Sequence, residues 1–254
     1  KRIEEIDDHF TLRGWWDIYC TQGPSSTPYF NELADRNRYF KIYETGWCKA
    51  DSFMLQEPEP HRTRPCILYA PTFSKGISSA WEMAPTIDRL AQSEEWDWII
   101  TFHPLLTDPV LLEEYRQLEK RHPNVRFQRI NEGIKTFRQT DVLLCDSSSL
   151  IVEYLMTRKP VVTLRNTHPG DYLIDVQHTE EIGEAIHRAL QRPEELMGAI
   201  DRYTAYHEAH RDGLNSMRVL EAIDDFAAHY QGRLARKPLN LWRKTQMFIR
   251  YLKS

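Results

Sequence analysis

Short apolar runs alternate with longer helix-like stretches through most of the chain, and this alternation restricts the possible fold more than any other feature of the sequence. Runs such as residues 142–145 (VLLC) are apolar at every position, as expected for strands that are buried on both faces. The predicted strands are Trp16–Cys20, Phe40–Tyr43, Cys66–Tyr69, Trp98–Phe102, Val125–Gln128, Val142–Cys145 and Val161–Leu164. The predicted helices lie near residues 27–37, 80–93, 109–121, 132–139, 148–157 and 179–190. This order predicts an α/β fold with a doubly wound parallel sheet.

The end of the chain departs from this alternation. Residues 193–230 predict two helices that are separated near Gly213, with no strand between them, and residues 239–252 predict a basic amphipathic helix. The polar, proline-rich segment 57–64 (EPEPHRTR) predicts a domain boundary. We therefore expect three parts: residues 1–58 as the end of a preceding domain with its junction, 59–232 as a Rossmann-like domain, and 233–254 as the basic C-terminal helix.

The composition, with 41% hydrophobic and 28% charged residues, is that of a soluble globular protein. No apolar run approaches the roughly 18–20 residues that span a bilayer, and the start of the sequence shows no signal-peptide pattern. The four cysteines form no C-x-x-C pair, which predicts reduced core thiols. We expect a cytoplasmic protein.

Charge is distributed unevenly along the chain. No acidic residue follows Asp225, whereas that tail holds seven of the 33 basic residues. They are Arg233, Arg236, Lys237, Arg243, Lys244, Arg250 and Lys253. A basic tail on an acidic body predicts binding to an anionic membrane surface or docking onto another part of the same protein. Nucleic acid is not an expected partner, because the body is acidic and no nucleic-acid-binding signature occurs.

The strongest local signal is the segment 142–154 (VLLCDSSSLIVEY), in which a buried strand runs directly into Asp146, three serines and a helix. Free backbone N–H groups at the helix start, together with the hydroxyls of Ser147, Ser148 and Ser149, predict a site for a diphosphate. Glu153 follows one helical turn later and can accept hydrogen bonds from ribose hydroxyls. The alternative is an ordinary serine-capped helix without a ligand.

Three other predicted strands end in polar residues at the same edge of the sheet. His103 ends the strand in IITFHP (99–104), where an imidazole can donate to phosphate or act as an acid or base. Thr72 and Lys75 lie in the loop after residues 66–69 and can also meet phosphate. The loop after Val161–Leu164 offers Arg165, Thr167 and His168 as a possible substrate loop. Each position also has a simpler interpretation, as a solvated or packed side chain.

The order of these motifs resembles the C-terminal half of CDP-glycerol glycerophosphotransferases. The similar segments are YAPTF (69–73), FHP (102–104), DSSS (146–149) with Glu153, and KPVV (159–162). Upstream, TGWCKAD (45–51) is similar to the T-G-x-P-R-x-D stretch of that family. The resemblance implies a GT-B-type Rossmann-like fold, with residues 1–58 on the acceptor side and 59–232 binding the nucleotide donor. It also implies transfer of glycerol phosphate, or a related polyol phosphate, from a CDP-activated donor to a growing cell-surface polymer.

The resemblance assigns roles to individual residues. His103 would contact the donor diphosphate and assist departure of the leaving phosphate, the serines would hold the phosphates, and Glu153 would hold the ribose. It implies no cofactor, because the nucleotide-diphosphate donor is a substrate. It also implies no metal, and the sequence has no D-x-D pair that could bind one. The implied acceptor is a lipid-linked molecule or a polysaccharide, which places the expected site of action at the inner face of the cell membrane.

The sequence departs from the family pattern at three places. Ser74 and Lys75 stand where the family has an arginine after P-T-[WF], and Cys48 and Lys49 replace the proline and arginine of the junction motif. Lysine keeps the positive charge but loses the bidentate geometry of arginine. The family's second catalytic histidine lies in an H-G motif that this sequence lacks, and we expect it before Lys1.

Two alternatives stay open. VTLRNT (162–167) is similar to a segment of UDP-N-acetylglucosamine 2-epimerases, whose D-S-G-G turn has Ser148 and Ser149 in place of its glycines here. That similarity implies a UDP-sugar donor and an epimerase or a UDP-sugar glycosyltransferase on the same GT-B architecture. The second alternative is a nucleotide-sugar-binding module without catalytic activity.

Overall fold

The computed structural model describes residues 14–54, 62–74, 76–128 and 133–252. The strands are β1 (Ile18–Thr21), β2 (Lys41–Glu44), β3 (Cys66–Tyr69), β4 (Asp97–Thr101), β5 (Val125–Gln128), β6 (Val142–Cys145), β7 (Val161–Leu164) and β8 (Ile174–Val176). The helices are α1 (Thr27–Asn37), α2 (Asp51–Met54), α3 (Met83–Ala91), α4 (Pro109–Arg121), α5 (Ile134–Arg138), α6 (Leu150–Leu155), α7 (Ile182–Leu190), α8 (Glu194–His207), α9 (Asn215–His229) and α10 (Leu241–Leu252).

The chain forms two compact units. The first contains the described parts of Lys1–Cys48 and His207–Ser254, and the second is Lys49–Tyr206. These limits differ from the sequence-based boundaries at 58/59 and 232/233, because α9 packs against β1 and β2 and so joins the first unit. The assignment of acceptor and donor sides to the predicted domains stays a prediction.

The first unit is built on a β–α–β element. Strands β1 and β2 pair in parallel, with Ile18 opposite Lys41, and α1 connects them. Two contacts hold β2 to α9 and the turn after it: the Tyr43 hydroxyl donates to Asp225 over 2.6 Å, and the Lys41 ammonium lies 4.2 Å above the Tyr230 ring. Strands β1 and β2 and helix α1 therefore occur close to the residues at which the sequence predicted them.

A buried carboxylate organises the turn after β2 in the same unit. Glu208 accepts hydrogen bonds from the backbone N–H of Trp47 over 2.8 Å and from the Asn215 amide over 3.2 Å. Burial raises the pKa of the Glu208 carboxyl, and these donors oppose that rise. Gly46 has a φ of 78°, and a Cβ atom added to it would collide with both Asn215 and Glu208. The glycine of the TGW segment is therefore required by backbone conformation and by space.

The second unit has a six-stranded, entirely parallel sheet. Every residue of β3, β6 and β7 is buried. Because alternate strand residues point to opposite faces, both faces of these strands are covered, as the continuous apolar runs predicted. The α/β fold with a doubly wound parallel sheet is confirmed.

Several local predictions need correction. Strand β8 was not predicted, because its three residues include the half-buried polar Asp175. Helix α6 has six residues, Leu150–Leu155, where the sequence predicted 148–157. Of the four cysteines, Cys66 and Cys145 are buried as expected, whereas Cys20 and Cys48 are exposed. No helix in the described residues is both long enough and apolar enough to cross a membrane.

Candidate functional site

The strand order of the large sheet places two polar loops side by side. The order is β5-β4-β3-β6-β7-β8, so successive strands are added in one direction from β3 and in the opposite direction from β6. The loops that follow β3 and β6 therefore leave the same edge at the point where the order reverses. Ligands of open α/β sheets bind beyond the carboxyl ends of the strands at such a reversal.

Asp146 connects these two loops through a buried side chain. Its carboxylate accepts hydrogen bonds from the backbone N–H of Thr72 over 2.9 Å and from the N–H of Ser79, also over 2.9 Å. Burial raises the pKa of the Asp146 carboxyl, and the N–H donors of Ser79 and Thr72 counter part of that rise. The aspartate of the DSSS segment is thus a positioning residue that sets the loop of Thr72 against the serine turn, defined here as residues 147–149.

A cleft of about 400 Å³ opens beside the serine turn, and we call it the first cleft. Five residues predicted from the sequence to bind the donor or act in catalysis line it: Thr72, His103, Ser148, Ser149 and Glu153. Lys49, Phe73 and Gly133 also line it. Residues from three strand ends and from the start of α6 therefore share one cavity, as the convergence of strand ends predicted.

His103 is held in one orientation within the first cleft. Its Nδ1 accepts a hydrogen bond from the backbone N–H of Leu105 over 3.1 Å, and its ring lies 4.5 Å from that of Phe73. Because Nδ1 acts as acceptor, the proton of the neutral imidazole resides on Nε2. His103 can therefore donate a hydrogen bond from Nε2 to an anionic oxygen.

The serine turn can bind an anion mainly through its hydroxyl groups, and the dipole of the following helix contributes less. Helix α6 is only six residues long, so its macrodipole is small. The Ser148 hydroxyl accepts from the Leu150 N–H over 3.2 Å and keeps its own proton for donation. Within the described residues, the Ser149 hydroxyl has no hydrogen-bond partner.

Glu153 forms an ion pair at the edge of the first cleft. Its Oε2 lies 2.5 Å from the ammonium of Lys49, the residue that replaces the arginine of the family's junction motif. The side chain of Lys49 is half exposed, whereas that of Glu153 is mostly covered. A cation and a carboxylate thus meet beside the serines, a combination suited to the phosphates and hydroxyls of a nucleotide.

A second cleft, of about 250 Å³, also borders the serine turn. Ser148 and Ser149 line both clefts, while Ser147, Thr167 and His168 line only the second. Asn166, Tyr172 and Tyr203, which sequence reasoning did not single out, also line it. The two tyrosines belong to no recognisable sequence motif, and it is the fold that brings them close to Thr167 and His168.

Arg165, which was predicted for the substrate loop, lies elsewhere. Arg165 forms an ion pair with Glu82 at the start of α3 and donates to the backbone oxygen of Gln177 over 3.3 Å. It lines neither cleft as these are described. Lys75, a predicted phosphate ligand, falls outside the described residues. Among the described residues, no group of three or more histidine, cysteine, aspartate or glutamate side chains is arranged to hold a metal ion.

The sequence profile of the CDP-glycerol:poly(glycerophosphate) glycerophosphotransferase family matches residues 16–225, most of the chain. The chain belongs to this family. No curated protein shows significant similarity to this glycerophosphotransferase-family chain.

Solved structures share its GT-B-type fold. They include the wall teichoic acid polymerase TagF (TM-score 0.55, 17% identity over 83% of this chain and 57% of TagF) and MnaA of S. aureus with UDP (TM-score 0.60, 13% identity over 87% and 63%). A UDP-N-acetylglucosamine 2-epimerase is similar as well (TM-score 0.58, 18% identity over 86% and 60%). The present chain covers about three fifths of the length of each of these proteins.

Proposed function

We propose that this chain carries the donor site of a transferase that moves glycerol phosphate, or a related polyol phosphate, from a CDP-activated donor to a growing cell-surface polymer. The observation that carries the proposal is the first cleft, which His103, two serines of the serine turn and Glu153 line beside the strand-order reversal. The chain that contains this cleft belongs to the glycerophosphotransferase family. The TagF fold supports it further.

In the proposed donor complex, the diphosphate lies against the hydroxyls of Ser148 and Ser149 and the Nε2–H of His103. Thr72 borders the same cleft and its loop is fixed by Asp146. The ribose hydroxyls donate to Glu153, and Lys49 moves from Glu153 towards the phosphates. These contacts are charge-assisted hydrogen bonds, which are shorter and stronger than neutral ones.

The reaction exchanges one oxygen–phosphorus bond for another. The oxygen of the acceptor hydroxyl bonds to the distal phosphorus of CDP-glycerol, and the bond from that phosphorus to the bridging oxygen breaks. The electron pair stays on the bridging oxygen of departing CMP, whose growing charge is stabilised by His103 and the serine hydroxyls. The acceptor proton passes to a base, and no residue of the first cleft is assigned that role.

Calorimetric titration with CDP, CDP-glycerol and UDP-N-acetylglucosamine tests the proposal. The wild-type chain is expected to bind the cytidine ligands, and the double variant Ser148→Ala/Ser149→Ala is expected to lose that binding. Ser93→Ala, an exposed serine beyond the end of α3, is the matched control and should bind as wild type does. Cytidine binding that survives the double variant contradicts the assigned phosphate site.

A UDP-sugar enzyme is the second candidate, since folds of UDP-N-acetylglucosamine 2-epimerase and of MnaA with UDP are similar. Preference for UDP-N-acetylglucosamine in the same titration favours an epimerase or UDP-sugar glycosyltransferase. A third candidate is a nucleotide-sugar-binding module without catalysis. Glycerol-phosphate transfer by the longest protein that contains this chain would eliminate it.

We also propose that α10 rests on an anionic membrane surface on the cytoplasmic side, where a lipid-linked acceptor would lie. Large apolar side chains on this helix are exposed, including Trp242 at 75% and Phe248 at 62%. The tail that contains the helix has basic residues and no acidic ones. Amphipathic basic helices of this kind bind anionic lipid surfaces.

A further inference from the structure

The second cleft has a different chemical character from the first. The first cleft includes the charged pair of Lys49 and Glu153, whereas no lysine, arginine, aspartate or glutamate among the described residues lines the second. Its described walls are hydroxyl, amide, imidazole, aromatic and aliphatic groups. Such walls suit a neutral molecule with several hydroxyl groups, which can hydrogen-bond to polar side chains and pack its carbon atoms against rings.

The polar wall of the second cleft is already fixed to the serine turn. The Ser147 hydroxyl accepts a hydrogen bond from the Thr167 N–H over 2.8 Å, and the Asn166 amide donates to the Asp146 carbonyl over 2.9 Å. The His168 N–H in turn donates to the Asn166 side-chain oxygen over 2.8 Å. The loop that carries Thr167 and His168 is therefore held in place by the same turn that lines the first cleft.

An aromatic pair forms another part of the wall. The rings of Tyr172 and Tyr203 stack with centroids 3.7 Å apart. Burial raises the pKa of the Tyr203 hydroxyl, and the neighbouring Tyr172 hydroxyl raises it further, so the Tyr203 hydroxyl stays uncharged. The volume of about 250 Å³ is below the roughly 300–1,000 Å³ of sites for drug-sized ligands. The cleft therefore suits a small polyol better than a whole nucleotide.

We propose that the serine turn divides the donor between the two clefts. The nucleoside and diphosphate occupy the first cleft, and the neutral polyol that is transferred occupies the second cleft against Thr167, His168 and Tyr172. Ser148 and Ser149 line both cavities, which is where a diphosphate linking the two parts would lie. This inference rests on the proposed function, because it assumes a nucleotide-diphosphate donor.

The test compares the affinities of CDP and CDP-glycerol in the wild-type chain and in Thr167→Val and His168→Ala. The wild type is expected to bind CDP-glycerol more tightly than CDP. Each variant should lose about 3- to 10-fold in affinity for CDP-glycerol, the usual effect of one hydrogen bond, with CDP affinity unchanged. His187→Ala, an exposed histidine on α7 outside both clefts, is the matched control. Thermal melting of each variant checks that the fold is intact.

The outcomes separate the two proposals. A wild-type chain that binds CDP and CDP-glycerol equally overturns the division of the donor but leaves the cytidine site standing. Equal losses for both ligands in the variants also overturn it, because they would place the diphosphate or nucleoside in the second cleft. A wild-type chain that binds neither cytidine ligand contradicts the proposed function itself, and the inference with it.

Discussion

The ammonium of Lys49 lies 2.5 Å from a carboxylate oxygen of Glu153, although the two residues are 104 positions apart in the sequence. The pair occupies the edge of the first cleft, where a ribose and a diphosphate are proposed to bind. A donor entering this cleft has to compete with Lys49 for Glu153, and it can offer Lys49 a phosphate in exchange.

Glu153→Ala is expected to remove the discrimination between CDP and 2′-deoxy-CDP. In the wild type, loss of the 2′-hydroxyl should weaken binding about 10- to 150-fold, because a hydrogen bond to a charged acceptor contributes about 1.5–3 kcal/mol. In the variant the two ligands should bind equally. Calorimetry with both ligands and both proteins measures this. Discrimination that persists in the variant would remove Glu153 from the ribose site.

His103→Ala is expected to weaken CDP binding by about 10-fold or more, because a charge-assisted hydrogen bond to the diphosphate is lost. The affinity for CMP should fall less, because CMP lacks the second phosphate. His103→Gln, which keeps an N–H donor, serves as the conservative control and should recover part of the affinity. The same loss for cytidine as for CDP would show that the imidazole acts on the nucleoside.

Asp146→Ala is expected to lower the free energy of unfolding by about 2–4 kcal/mol. The substitution leaves the N–H groups of Thr72 and Ser79 without their acceptor. For a domain of this size, the loss corresponds to a fall of about 5–10 °C in melting temperature. Differential scanning calorimetry measures it, and a variant that melts with the wild type would refute the positioning role.

The pH dependence of stability tests the same carboxyl. Burial raises the pKa of Asp146 above its ordinary value of 3.8, so the folded chain holds this proton at pH values where the unfolded chain has released it. The contribution of Asp146 to the free energy of unfolding is therefore largest at low pH and decreases as the pH rises through the raised pKa. The stability difference between wild type and Asp146→Asn, measured by urea unfolding, should be more favourable to the wild type at pH 4 than at pH 7. A difference that is constant or grows with pH contradicts the raised pKa.

Vesicle sedimentation tests α10. The chain is expected to bind vesicles of phosphatidylcholine with 30% phosphatidylserine, to bind less as salt rises, and to bind pure phosphatidylcholine weakly. Trp242→Ala and Lys244→Glu should each reduce binding, whereas Trp16→Ala, an exposed tryptophan outside α10, should not. Equal binding to both kinds of vesicle would contradict an electrostatic role for the tail.

The sequence predicted the strands of the large sheet well where apolar residues are continuous, as in Val142–Cys145. It did not predict β8, whose short length and central aspartate give no such signal. At the site it predicted residues that share the first cleft, such as His103 and Glu153, but it was wrong to include Arg165 and it did not predict how the residues are connected. The contacts of Asp146 with Thr72 and Ser79 join residues 74 and 67 positions apart, and no local pattern encodes them. For the same reason, the DSSS segment predicted the role of the serines but did not show that Asp146 holds the neighbouring loop in place.

The conformation and surroundings of Gly46 limit which residues can occupy this position of the TGW segment. Its left-handed conformation and the space taken by Asn215 and Glu208 leave no room for a side chain. A saturation library at this codon, selected for folded protein, should return glycine almost alone. By contrast, the codon for Gly76, where an added Cβ would meet nothing within 4 Å, should tolerate many residues.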